Sequence, residues 1–219
     1  MKTEINLMKN YPKTKRDPFL RLQEKTEQHK KLAKSFGKDF FDGTRETGYG
    51  GFTYNSRFWE PVVPNFVEHF DIKDGDSILD VGCAKGFMLY DFLRYNPNFN
   101  VKGIDISKYA IENAHKSVKK FLEVGDCRKL PFEDNSFDFC FSITTIHNVE
   151  PEECLEALKE IERVTKKGAF ITVDAYHNNT EKDAMFAWNL TAKTILHVDE
   201  WREMFNRAGY QGDYYWFLP

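Results

Sequence analysis

The chain has 219 residues, 41% of them hydrophobic and 30% charged, with a formal net charge of −3. That length suits one domain that buries roughly 70% of its unfolded surface, so no disulfide or structural metal is required. No stretch approaches eighteen uninterrupted apolar residues, and the opening MKTEINLMKNYPKTKRDPF lacks a signal-peptide core; both point to a cytoplasmic protein with no membrane partner.

Charge is uneven along the chain. Residues 1–48 carry 12 Lys/Arg against 7 Asp/Glu, and the remainder 19 against 27. A basic arm of this kind suits RNA or an anionic substrate, although a solvated face with no partner has the same pattern. The first eighteen residues read as mobile and polar. Asp17 and Pro18 resemble an N-cap and first helical position, opening a charged helical pattern over about 19–36 that stops at Gly37. Residues 43–61, GTRETGYGGFTYNSRFWEP, are rich in glycine and aromatics and read as an ordered loop. Val62, Val63, Phe66, Val67 and Phe70 then recur at helical spacing.

Beyond Ile72 strands and helices alternate. Strands are expected at 77–81, 101–106, 121–125, 137–143 and 169–175, with helices at 86–95, from Ser107 to about 119, and near 151–165. After 175 the pattern loosens into a helix near 181–192, an extended piece at 194–197, a helix over 199–208 and a last strand in GDYYWFL. Such alternation predicts an α/β fold with a doubly wound, mainly parallel sheet. One compact domain over 61–219, preceded by a helical and loop extension over 1–60 that can act as a lid, is the expected organisation.

The stretch most informative about chemistry is ILDVGCAKGF, residues 78–87. A strand, a glycine turn and a helix bring backbone close to a ligand at the carboxyl edge of an open sheet. The phosphate loop GxxxxGK[ST] does not fit, because Phe87 stands five residues after Gly82 and no Lys-Ser/Thr follows. The dinucleotide pattern GxGxxG fails at Ala84 and Phe87. The four cysteines, Cys83, Cys127, Cys140 and Cys154, have no metal-ligand spacing and read as buried free thiols.

D-V-G-C-A-K-G, from Asp80 to Gly86, resembles the first motif of class I S-adenosylmethionine-dependent methyltransferases, with Ala84 in place of the middle glycine. GIDIS, VGDC and LPFEDNSFDFCFS followed by SITTIHNV resemble the later pieces of that family in the same order, over about 72–175. The resemblance implies a Rossmann-like methyltransferase fold and S-adenosyl-L-methionine as cofactor. It assigns the methionine part to the turn (Asp80, Gly82, Cys83, Ala84, Gly86), the ribose hydroxyls to Asp105 with Ile106 beside it, and the adenine amino group to Asp126 beside Cys127, with Ser142 at the end of the fourth strand. The family's full sheet has an antiparallel final strand; here either it is missing or residues 194–197 supply an extra strand.

Acceptor chemistry is expected over the loops after the fourth and fifth strands and beneath the N-terminal lid. His147, Asp174, Tyr176 and His177 are the candidates there, and in the lid Arg57 for the cofactor carboxylate with Tyr49 or Tyr54 over the methyl donor. Each has a plain structural alternative, a packed histidine or an aromatic plug. The (D/N)PPY motif of some nucleobase and glutamine methyltransferases is absent, Ser142-Ile143-Thr144-Thr145 standing there, and HVDEW offers no second histidine at metal-ligand spacing. The leading expectation is methyl transfer to an O or N of a small molecule. RNA or protein methylation through the basic arm, and a non-methylating cofactor-binding protein, are the alternatives; the sequence leaves the oligomeric state open.

Overall fold

The computed structural model describes residues 2–13, 17–50 and 52–218. Seven strands form one sheet: β1 (Ser77–Val81), β2 (Asn100–Asp105), β3 (Leu122–Val124), β4 (Phe137–Ile143), β5 (Thr165–Tyr176), β6 (Leu196–His197) and β7 (Asp213–Phe217). Their order is β3-β2-β1-β4-β5, with β7 and then β6 along the outer edge of β5, and every ladder between them is parallel. In register, Ile78 faces Val101 on one side and Phe139 on the other, and Phe141 faces Phe170.

The strands are apolar on both faces because both faces are covered. On one side lie α5 (Val63–Phe70), α6 (Phe87–Tyr95) and the short α7 (Lys108–Glu112), whose Phe66, Leu89, Phe92 and Ile111 pack with Ile78, Phe139, Phe141 and Phe170. On the other lie α8 (Pro151–Val164) and α10 (Val198–Ala208), whose Leu158, Ile161, Trp201 and Phe205 pack with Leu79, Val81, Cys140 and Ile171. Helix α8 starts at Pro151 with a Glu150–Glu153 capping box, and α10 ends at Gly209 in the left-handed region. The chain leaves β1 toward β2 and later returns on its other side as β4, so a crevice opens above the carboxyl ends of these strands.

The N-terminal part is more ordered than its polar sequence suggests. Ile5 N–H donates to Tyr214 O at 2.9 Å and Tyr214 N–H to Thr3 O at 3.1 Å, so residues 3–5 run parallel along the outer edge of β7. Leu7 is buried and its carbonyl accepts from Asn65 Nδ2 at 2.9 Å. The expectation of a mobile start is therefore corrected for residues 2–13. Ile5, Leu7 and Met8 are the apolar signal diluted by the lysines around them.

The single helix expected over 19–36 is two, α1 (Pro18–Glu24) and α2 (Glu27–Ala33), followed by α3 (Lys38–Asp42) and α4 (Ser56–Trp59). The break has a local cause. Thr26 caps α2 with His29 completing a capping box, and Lys25 turns inward, its ammonium donating to the carbonyls of Ala187, Trp188 and Asn189 at 2.6–2.9 Å. Those carbonyls end α9 (Asn179–Trp188), where a cation is favourable. The helix expected from Ser107 to 119 likewise stops at Glu112, because the His115 N–H is drawn to Lys85 O at 2.9 Å. Residues 194–197 do yield an extra strand, β6, which extends the parallel sheet at Ala175 and Tyr176. No antiparallel final strand occurs among the described residues, where residues 3–5 hold the position outside β7.

Gly82 has φ +87°, and a Cβ there would lie 2.1 Å from Thr145 Oγ1. Gly82→Ala should destabilise the fold by about 2–3 kcal/mol in denaturant unfolding. Thr145→Ala in the same chain should restore only the steric share of that loss, because the left-handed backbone still disfavours a side chain.

Candidate active site

A cleft of about 870 Å³ lies over the carboxyl ends of β1, β2, β4 and β5. Its floor is the turn after β1. Gly82, Ala84 and Gly86 have φ of +87°, +50° and +75°, so alternate residues of the turn are left-handed, Ala84 included. Gly82 N–H and Cys83 N–H both donate to Ile104 O, at 2.7 and 3.1 Å. Ala84 N–H donates to Asp105 Oδ2 and Ser107 N–H to Asp105 Oδ1, each at 2.8 Å. The end of β2 thus holds the turn after β1 in shape, and each Asp105 oxygen keeps further accepting capacity on the cleft side.

Asp80 and Asp105 are both buried and both line the cleft. Burial first, and then the neighbouring Asp105 charge, pushes the Asp80 carboxyl up to about 7. Burial also raises Asp105, against the lowering effect of its two backbone donors. Among the described residues no donor reaches the Asp80 carboxylate, which leaves a buried acid aimed at the cleft without a protein partner. Cys83 and Cys127 line the same wall, their thiols pushed up by burial, that of Cys127 to about 12; both are therefore thiols at neutral pH. Asp126 also lines it, but Arg128 chelates its carboxylate at 2.9 and 3.0 Å through Nε and holds it below the usual range. Ile106 stands exposed at the rim.

Across the cleft, His147 and Asp174 come together. The backbone N–H of Asp174 donates to His147 Nδ1 at 2.9 Å, and the Asp174 carboxylate lies 3.6 Å from the same nitrogen. An Nδ1 that accepts an N–H bond carries no proton, so the neutral ring bears its hydrogen on Nε2. Burial lowers the imidazole pKa, partly opposed by Asp174, which keeps the ring neutral at physiological pH. His147 is accordingly a hydrogen-bond donor toward any group that meets Nε2.

The roof comes from the N-terminal part, with Tyr11, Phe40, Tyr49, Phe58 and Trp59 lining the cleft, and Trp188 closing it from the end of α9. Polar contacts anchor this roof to the floor. Lys85 Nζ reaches Asp42 Oδ1 at 2.5 Å and Phe52 O at 2.8 Å. Ser107 Oγ donates to Phe36 O at 2.5 Å, and Tyr109 OH to Asp42 Oδ2 at 2.9 Å.

Of the residues singled out from sequence, Asp80, Gly82, Cys83, Ala84, Asp105, Ile106, Asp126, Cys127, Tyr49, His147 and Asp174 line this one cleft. Gly86 caps α6 behind it and packs against Val118 and Leu122. The structure does not bring the others there. Ser142 is fully buried and its hydroxyl donates to Val81 O at 2.9 Å. Arg57 stacks on Phe58 with its guanidinium 4.7 Å from the ring, and His177 pairs with Glu181 at 2.8 Å on the first turn of α9. Tyr176 packs edge-on against His197. Tyr54 turns away, donating to Asp91 Oδ1 at 2.6 Å among Phe87, Tyr90 and His115. Gly51, within the proposed lid, lies outside the described residues. Lys85 and Lys25 were missed from the sequence, because a lysine inside a glycine turn or a charged helix carries no mark of its distant partner. No group of three or more His, Cys, Asp or Glu side chains among the described residues forms a metal site.

The Asp80 shift has a stability consequence. A carboxyl whose folded pKa is about 7 rather than 3.8 costs stability as it is forced to ionise between those values. Asp80→Asn avoids that cost. Between pH 4 and 8 the stability difference, measured by urea unfolding, should shift in favour of the variant by ~3 kcal/mol; a pH-independent difference would contradict the raised pKa.

Residues 79–173 match the family described as Methyltransferase domain. The chain is 32% identical over 152 residues to a demethylmenaquinone methyltransferase of Symbiobacterium thermophilum, covering 65% of this chain and 59% of that one. It is 30% identical over 142 residues to a tRNA (carboxymethyluridine(34)-5-O)-methyltransferase of Arabidopsis thaliana, covering 64% and 33%. Across such curated relatives this chain spans from 26% to 59% of their length. Among solved structures, the fold resembles that of the [4+2]-cyclase SpnF, with a TM-score of 0.57, 20% identity, and 82% and 67% of the two chains covered. The match over the strand-turn-helix region and the doubly wound sheet agree: residues 79–173 are similar to a methyltransferase domain, on the fold of the class I S-adenosylmethionine-dependent methyltransferases.

Proposed function

We propose that the protein binds S-adenosyl-L-methionine on the glycine-turn side of the cleft and catalyses methyl transfer to an O or N of a small molecule held under the N-terminal roof. The observation that carries this is the pairing of Asp80 and Asp105 at the carboxyl ends of adjacent strands, with Asp80 lacking a protein donor. When bound, the cofactor supplies a methyl carbon activated by a positively charged sulfur. A ligand that also carries an ammonium group matches Asp80, which ionises readily once a cation replaces solvent. Asp105, its oxygens already oriented by Ala84 and Ser107, accepts from the two ribose hydroxyls in charge-assisted bonds. Ile106 and the Cys127 side take the flat face of the base. Residues 1–60 act as the lid and 61–219 as the cofactor-binding unit.

On the acceptor side, His147 Nε2–H orients the nucleophile and the Asp174 carboxylate takes its proton, so the two residues have separate tasks. Little general-base power is needed, because the leaving group departs as a neutral thioether. Alignment and exclusion of water under the aromatic roof account for most of the rate, and orientation alone can contribute roughly 7–11 kcal/mol.

Two other readings have support of their own. Lys13, Arg21, Lys34, Arg128 and Lys193 border the cleft, which suits an anionic acceptor, RNA included; such binding would weaken steeply with salt. The likeness to a cyclase fold allows non-methyl chemistry on the same scaffold.

The deciding experiment incubates the protein with methyl-labelled S-adenosylmethionine and an extract of its own cells, fractionated by size. Label in the small-metabolite fraction supports the proposal and reports the acceptor's mass; label in RNA or protein supports the second reading; none, with cofactor bound, supports the third. Asp105→Ala should weaken cofactor binding in calorimetry by about 1.5–3 kcal/mol, and unchanged affinity would sink the ribose assignment. His147→Ala should lower turnover more than cofactor affinity.

A further inference from the structure

Helix α1 is held to the protein by the wrong side chains for an ordinary amphipathic helix. None of its seven residues is buried. Its attachments are polar: Arg21 lies over the Trp188 ring at 4.2 Å, and Lys25, its C-cap, donates to three carbonyls at the end of α9. Its apolar side chains face solvent, with Phe19 54%, Leu20 52% and Leu22 43% exposed. Leu32 on α2, the next helix in the chain, is 36% exposed, and Phe186, on the helix that carries α1, is 52% exposed. Half of the large exposed apolar side chains among the described residues thus belong to this cap. Soluble surfaces rarely gather such residues without a partner.

The surroundings narrow the partner. Apart from Lys25, which turns inward onto α9, residues 17–38 contain Arg21, Lys30, Lys31, Lys34 and Lys38 against Asp17, Glu24 and Glu27, whereas the chain from 49 onward is net negative. Apolar side chains among basic ones on short surface helices match the boundary of an anionic bilayer, where aromatic and leucine side chains enter the acyl region and lysines stay with the headgroups. RNA would use the lysines but has no use for Leu20 and Leu22. Arg21 and Lys34 also line the cleft, so α1 and the end of α2 border it.

We propose that α1, α2 and the exposed edge of α9 form a docking surface for an anionic lipid bilayer, which the protein binds peripherally without a spanning helix. This departs from the expectation of no membrane partner, which rested on the absence of a long apolar segment. The docking does not depend on the chemistry in the cleft, and its failure would leave the methyl-transfer proposal standing.

The test is co-sedimentation of the full chain with vesicles of phosphatidylcholine alone and of phosphatidylcholine with phosphatidylglycerol in roughly a two-to-one ratio, at about 0.1 M salt. Binding to the anionic vesicles is expected, with at most weak binding to the neutral ones. The triple variant F19S/L20S/L22S, at exposed positions and with thermal unfolding like the wild type, should bind about tenfold more weakly, and K30E/K31E should weaken binding and remove its salt dependence. No binding to anionic vesicles, or binding that the triple variant retains, overturns the proposal. So does tight binding to single-stranded RNA that K30E/K31E abolishes and the triple variant leaves intact, if vesicles are not bound.

Discussion

One hydrogen bond, from the Ala84 N–H to the Asp105 carboxylate at 2.8 Å, sets the geometry of the cleft. It crosses from the turn after β1 to the end of β2, and it requires the turn to adopt its alternating left-handed shape. Ala84 is held at φ +50°, a conformation that costs an alanine about 1 kcal/mol relative to glycine. The same carboxylate also holds Ser107 N–H, the N-cap of α7. Strand end, turn and following helix are therefore one unit, and the close approach of two buried acids follows from that unit.

The roof depends on the same residues as the floor. Lys85 belongs to the turn yet its ammonium reaches Asp42 and Phe52, and Ser107 belongs to the β2 edge yet holds Phe36. The turn and the anchors of the aromatic roof are thus the same side chains. Floor and roof are joined through direct contacts, with no relay of other side chains between them.

Much of the central fold could be read from the chain. β1 and β4 fall at the expected residues, because short apolar runs bounded by turn residues allow little else, and the glycine turn marked the edge over which the cleft opens. That Asp80, Asp105 and His147 line one cleft was also legible, since strand ends at the carboxyl edge can be counted from the pattern. What escaped was set by distant partners. Lys25 breaks a long helical pattern to reach α9, the His115 N–H leaves its helix for Lys85, and Ile5 takes an edge on a strand more than 200 residues away. The fourth-strand serine and the histidine after β5 looked chemical in sequence, but Ser142 is spent on Val81 and His177 on Glu181. Local periodicity carries no record of such contacts.

Residues 3–5 along β7 bear on how the molecule behaves among copies of itself. An uncovered parallel edge presents a row of unpaired N–H and C=O groups to any neighbouring strand. Here one margin of the sheet is the three-residue β3, and along β7 the other is covered by residues 3–5. Substitutions that pull residues 3–5 off β7 would open that margin to intermolecular strand pairing. Their effect would be felt in solubility and oligomeric state before it was felt in the cleft.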